Sequence, residues 1–78
     1  MDGIGKEMKE VQSNMTGSVL KVLVKVGDVV KEDQDVVSLE SMKMEMAVPS
    51  TESGTVKEVC VNVDDFVQEG QVLLRLED

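Results

Sequence analysis

The sequence predicts an all-β domain, a small antiparallel sandwich or flattened barrel, and three observations support this class. Valine occurs sixteen times in the 78 residues, and its branched Cβ suits the pleated surface of a sheet. No segment shows the 3.6-residue period of an amphipathic helix. Residues 17–26 match residues 54–63, and the match continues without a gap to the end of each half. Two short sheets that cover each other's apolar faces are the economical arrangement for such duplicated halves.

Length and composition restrict the function classes. A chain of this size holds one small domain, and its single cysteine excludes an internal disulfide. Histidine is absent, which removes the usual general base and the commonest metal ligand, so we predict no catalytic and no metal site. The formal charge of −8 argues against nucleic acid and anionic membranes as partners. No apolar run approaches the length of a transmembrane helix or a signal peptide core.

The chain divides into an arm and a domain. Residues 1–10 contain glycine and charge without strand alternation, which predicts a flexible N-terminal arm. The folded domain is then expected over residues 11–78. Within it the pattern predicts a short first strand at 11–13 and further strands near 18–25, 29–31, 35–41, 45–49, 55–62, 66–68 and 71–77.

Glycine and aspartate replace each other between the two halves. Gly27 corresponds to Asp64, and Asp33 corresponds to Gly70. Glycine adopts positive φ freely, and aspartate adopts it more readily than most residues. We therefore expect tight turns near 27–28, 33–34, 64–65 and 70–71. Turn chemistry also explains the pair formed by Asp64 and Asp65 better than a cation site does.

The stretch at residues 40–46 reads Glu-Ser-Met-Lys-Met-Glu-Met and lies between two β-rich segments. Its position predicts a tight hairpin with Met42 and Lys43 at the tip. Two-residue hairpin turns favour positive φ, which costs a side-chain-bearing residue roughly 1–3 kcal/mol. Because a local rule broken at one place tends to mark a functional site, we expect the tip to present the lysine amine to solvent. The alternative is an ordinary solvated turn lysine.

The residues around the tip also allow two interpretations. Met42, Met44 and Met46 share one face of a strand, and all three could be core residues. We predict this only for Met46, because the tip offers little core and adaptable methionines suit surfaces that meet several partners. Glu40 and Glu45 are expected to be solvated charges rather than recognition elements. Elsewhere in the chain, Cys60 corresponds to Leu23 in the repeat and is expected to be a partly buried, unreactive thiol.

These features together resemble the biotinyl domain family, the biotin carboxyl carrier proteins. The resemblance covers about residues 11–78 and rests on Glu40, the Met-Lys-Met core at 42–44, the turn residues and residues 53–56. It implies a flattened β-barrel of two four-stranded antiparallel sheets with quasi-two-fold symmetry. It further implies that Lys43 is amide-linked to biotin by a biotin protein ligase, with Met42 and Met44 as flanking recognition residues and Glu40 as a ligase recognition residue.

The function implied by the resemblance is that of a carrier, not an enzyme. Biotin on Lys43 would shuttle carboxyl groups between a biotin carboxylase and a carboxyltransferase or decarboxylase. The isolated domain is expected to be monomeric and cytoplasmic, with a mitochondrial or plastid matrix as the alternative location. Two other functions stay open: a lipoyl carrier of the same fold, and an unmodified β-sandwich interaction module. Met42 favours biotin over lipoate, since an acidic residue typically precedes the lysine of lipoyl domains.

Overall fold

The computed structural model describes residues 8–77, and within them the chain forms eight strands and no helix. The strands are β1 (Met8–Gln12), β2 (Gly17–Val22), β3 (Val29–Val30), β4 (Asp35–Ser41), β5 (Met44–Pro49), β6 (Gly54–Val59), β7 (Phe66–Val67) and β8 (Val72–Glu77). They form two four-stranded sheets with the orders β1-β8-β6-β3 and β5-β4-β2-β7. Every pairing is antiparallel, which confirms the predicted fold class.

The two sheets are built by equivalent halves of the chain. The β2–β4 pairing of one sheet corresponds to the β6–β8 pairing of the other, and both ladders shift register at the same place, between Val19 and Lys21 and between Val56 and Glu58. In the same way, β2–β7 corresponds to β6–β3, and the β4–β5 hairpin corresponds to β8–β1. The sequence repeat is therefore a structural repeat with quasi-two-fold symmetry.

The core between the sheets is aliphatic. Alternation along the strands directs one face inward, where burial of each Val or Leu stabilises the fold by about 1.5–3 kcal/mol. The core cluster contains Val11, Val19, Val24, Val30, Val36, Val37, Leu39, Val48, Val56, Val61, Val67, Leu73, Leu74 and Leu76. The only aromatic residue of the chain, Phe66, is not among them.

The four predicted turns contain residues with positive φ, as expected. Gly27 and its counterpart Asp64 have φ of 98° and 79°, and Asp33 and its counterpart Gly70 have φ of 71° and 90°. The residue after Asp64 completes its turn, since one carboxylate oxygen of Asp65 accepts a hydrogen bond from the backbone N–H three residues earlier, at 2.8 Å. This contact confirms a turn role for the adjacent aspartates.

Three strand boundaries differ from the prediction by three residues, and the others agree to within one residue. Strand β1 begins at Met8 rather than at residue 11, because Met8 through Val11 pair with β8. Residues 8–10 thus belong to the sheet and not to an arm, while residues 1–7 lie outside the described residues. Strands β2 and β6 end at residues 22 and 59, three residues early. The chain turns away there to reach the opposite sheet, where the N–H of Gly27 donates to the carbonyl of Val56 at 2.9 Å.

The described part of the chain contains no helix with the length and apolarity required to cross a bilayer.

Candidate functional site

The β4–β5 hairpin closes through a two-residue turn of Met42 and Lys43. Their φ angles are 53° and 63°, and Ser41 and Met44 form the last cross-strand pair before the turn. Positive φ at both central positions is the requirement of the type I′ turn, whose twist matches that of the flanking strands. Neither residue type favours this region, and the left-handed conformation costs each about 1–2 kcal/mol. The turn is therefore strained, as the sequence predicts.

The strained turn holds its side chains in solvent. Lys43 is exposed, and Met42 is 91% exposed, the highest value among the large hydrophobic residues of the described chain. Within residues 8–77, no hydrogen bond or ion pair involves the Lys43 amine. An exposed primary amine without an internal partner is accessible for acylation, and its donors are available to an incoming group.

The hairpin beneath the turn is held by side-chain contacts on its outer face. The Ser38 hydroxyl donates to the Glu45 carboxylate at 2.6 Å, and the Lys21 ammonium lies 3.8 Å from the same oxygen. These contacts join β4, β5 and β2. The sequence analysis missed this cluster. The repeat contains a signal for it, since Lys21 and Ser38 correspond to Glu58 and Arg75. In the other sheet, Arg75 forms ion pairs with Glu58 and Glu10.

A close backbone approach supports the strand that leads into the turn. A Cβ placed on Gly17 would lie 2.6 Å from the carbonyl oxygen of Glu40. Only glycine permits the two strands to approach this closely without displacing backbone. The same approach recurs in the other half, where a Cβ on Gly54 would lie 2.8 Å from the carbonyl oxygen of Glu77.

The prediction that Met46 belongs to the core is wrong. Met46 is 42% exposed, although its cross-strand partner Leu39 is fully buried. Strand β5 is the edge strand of its sheet, and the hairpin extends past the core toward its tip, so burial begins only at Val48. Met44 and Met46 therefore add to the apolar surface beside Lys43.

Glu40 and Glu45 are exposed charges directly opposite each other. Like charges in this arrangement repel each other across the strands. Glu45 is compensated by Lys21 and Ser38, whereas Glu40 forms no ion pair with any residue in the range 8–77. Its role in recognition stays a prediction.

Cys60 is exposed, which contradicts the expected partial burial. Cys60 and its counterpart Leu23 each precede a core valine, Val61 and Val24, so that both point outward. Loss of hydration raises the pKa of the Cys60 thiol, and the Glu58 carboxylate raises it further. The thiol is thereby kept in its less reactive protonated form.

Two sequence comparisons find relatives of the chain. Residues 8–76 match the sequence profile of a family described as "Biotin-requiring enzyme". A 31-residue segment is 61% identical to the biotin carboxyl carrier protein of Streptococcus mutans serotype c, covering 40% of this chain and 24% of that protein.

Solved structures of two carboxylases contain a similar fold. The crystal structure of the Kluyveromyces lactis urea carboxylase superposes with a TM-score of 0.81 at 31% identity, over 90% of this chain and 6% of that one. A single-chain, multi-domain long-chain acyl-CoA carboxylase superposes with a TM-score of 0.78 over 87% of this chain and 7% of that one. At 24% identity, the second match shows the fold alone. The chain thus spans a small part of each relative's length.

Proposed function

The chain is a biotinyl domain that belongs to the family of biotin-requiring enzymes, and we propose that it carries biotin as an amide on Lys43. The observation that carries this proposal is the strained two-residue turn, which presents at the end of a hairpin a lysine amine that has no partner among residues 8–77. A turn built for stability would place Asn or Gly at these positions. Met and Lys at positive φ are explained if another molecule recognises or modifies their side chains.

The residues at the tip fit covalent biotin. The Lys43 amine forms a stable amide with the valerate carboxyl group, and the amide removes the lysine charge, so that the formal net charge changes from −8 to −9. Biotin, when bound, supplies the ureido ring that carries a carboxyl group. The protein contributes position, since the paired strands hold the attachment point in one geometry and reduce the ordering cost when an enzyme engages it.

The domain acts as a carrier rather than as a catalyst in this proposal. A biotin protein ligase would acylate Lys43, with Met42 and Met44 as flanking contacts and Glu40 as a recognition residue. The tethered group would then visit a biotin carboxylase and a carboxyltransferase or decarboxylase. Tethering raises the local concentration of the group at each site without any new contact. The active sites would reside in other domains or subunits.

Mass spectrometry after incubation with biotin protein ligase, ATP and biotin tests the proposal. We expect one biotin per chain on the wild type and none on Lys43→Arg, which retains the charge and the turn but offers no acylable amine. Lys31→Arg is the matched control, because Lys31 is also an exposed lysine beside a turn and its replacement should leave biotinylation intact.

Two other outcomes would contradict the proposal. Modification by a lipoate ligase but not by a biotin protein ligase would identify a lipoyl carrier. No modification by either enzyme would support an unmodified interaction module.

A further inference from the structure

The structural repeat provides an internal comparison between the two ends of the domain. At the lysine end, one row of directly paired residues crosses the sheet on its outer face: Phe66, Ser18, Glu40 and Glu45. The equivalent row at the far end is Val29, Thr55, Glu77 and Met8. Because the backbone pairing is the same in both rows, differences between their side chains indicate a role other than folding.

The first difference is an exposed aromatic residue. Phe66 is the only aromatic residue of the chain, yet it is 62% exposed while the core is filled with Val and Leu. Its counterpart at the far end, Val29, shows that the fold accepts a smaller side chain at this position. An aromatic side chain that stays exposed although it could be buried is a typical anchor of a protein interface.

The second difference is charge. Residues 25–34 carry two lysines and three acidic residues, whereas the equivalent residues 62–71 carry three acidic residues and no lysine. Asn62 and Gln68 stand where the far end has Lys25 and Lys31. The aspartates at positive φ balance each other, since Asp64 replaces Gly27 at the lysine end and Asp33 replaces Gly70 at the far end, so the charge difference comes from the two missing lysines.

The third difference concerns the carboxylate at the centre of each row. At the far end, Glu77 forms an ion pair with Lys57 at 3.1 Å. At the lysine end, Leu20 replaces that lysine, and Glu40 has no ion pair among residues 8–77. A partner with cationic groups would supply the missing compensation.

We propose that Phe66, Glu40 and the lysine-free segment 62–71, together called the lysine-end surface, form a docking surface for the ligase that acylates Lys43. The partner surface would be an apolar pocket that receives Phe66, surrounded by lysine or arginine side chains. From strand spacing and residue rise, Phe66 lies about 12 Å from the turn, within one interface footprint. This inference rests on the proposed function.

The chemistry favours the ligase over the carboxylase sites as the partner. Acylation occurs at the lysine nitrogen itself, so the ligase must approach the domain to within the length of one lysine side chain. The later enzymes act on the ring at the far end of the biotin arm. They therefore require less contact with the body of the domain.

Exchanging residues between the two ends tests the docking surface. The lysine-end exchange is Asn62→Lys, Phe66→Val and Gln68→Lys, and the matched far-end exchange is Lys25→Asn, Val29→Phe and Lys31→Gln. Each introduced residue already occupies the equivalent position of the other half, so both variants should retain the wild-type urea midpoint. The single variant Phe66→Val measures the effect of the aromatic side chain without the change in net charge.

The measured quantity is kcat/KM of a purified bacterial biotin protein ligase for each unmodified domain, at low and high salt. We expect the lysine-end exchange to lower kcat/KM about tenfold or more, chiefly through KM, and to weaken the salt dependence. Phe66→Val should account for a loss of at least about threefold that salt does not abolish. The far-end exchange should stay within about twofold of the wild type, since only exposed residues distant from Lys43 change.

Equal effects of the two exchanges, or no effect of the lysine-end exchange, would overturn the docking surface while leaving biotinylation itself established. A wild type that accepts no biotin would instead refute the proposed function, and the inference with it. The biotinylated lysine-end exchange should still be carboxylated by biotin carboxylase at the wild-type rate. A loss at that step with normal ligase kinetics would assign the surface to the carboxylase and overturn the assignment to the ligase.

Discussion

Replacing the tip with the preferred turn sequence should stabilise the domain. In Met42→Asn/Lys43→Gly, the two positions with φ of 53° and 63° receive residues that tolerate this region. Relief of strain contributes about 1–2 kcal/mol at each position. The unfolded-state entropy of the new glycine offsets about 0.5–1 kcal/mol. The net gain in the free energy of unfolding should be about 1–3 kcal/mol, which raises the Tm by about 4–8 °C for each kcal/mol.

Urea denaturation followed by far-UV circular dichroism measures this gain, because the chain has no Trp or Tyr for fluorescence. The midpoint should rise with an unchanged slope, as expected when stability changes without a change in exposed surface. Lys43→Arg is the control, since arginine meets the same backbone cost and should leave the midpoint unchanged. The same Asn-Gly variant should accept no biotin.

An Asn-Gly variant with unchanged or lower stability would refute the reasoning. It would show that the tip is relaxed with its present residues. Positive φ at Met42 and Lys43 would then be no argument for a functional role.

Two further predictions concern the support of the hairpin and the free thiol. Gly17→Ala should lower the free energy of unfolding by about 1–3 kcal/mol, because the new Cβ would lie 2.6 Å from the carbonyl oxygen of Glu40 and backbone atoms move less easily than a side chain. A loss below about 0.5 kcal/mol in urea denaturation would contradict this close approach. Glu58→Gln should lower the pKa of the Cys60 thiol, because Glu58 raises it and Arg75 lowers it, so that alkylation by iodoacetamide at pH 8 becomes faster. Glu69→Gln is the control for the second experiment, and equal alkylation rates for both variants would show that Glu58 has no influence on the thiol.

Much of the fold was predictable because its signals are local. Valine content, the repeat and the exchange of Gly27 with Asp64 each depend on the conformational preference of single residues, and the structure confirms the class and the turns. The position of Lys43 at the tip was predictable for the same reason, since it needs only two adjacent strands and the short connection between them.

The errors all concern burial and pairing with distant segments. Met46 lies on the face of β5 that points toward the core, but at a position where this edge strand extends beyond the core. Cys60 is of a residue type that is often buried, but its neighbour Val61 points into the core and Cys60 therefore points outward. Strand β1 begins at Met8 because β8, more than sixty residues later in the chain, offers a pairing edge there.

The sequence by itself determined that this chain forms duplicated β halves with one lysine on a strained turn, because backbone preference and periodicity are properties of neighbouring residues. Only the tertiary structure decided what surrounds that lysine. Phe66 and Glu40 lie on opposite sides of Ser18, in a row that joins β7, β2 and β4 from different parts of the chain, and the register that aligns these strands is set by the packing of both sheets.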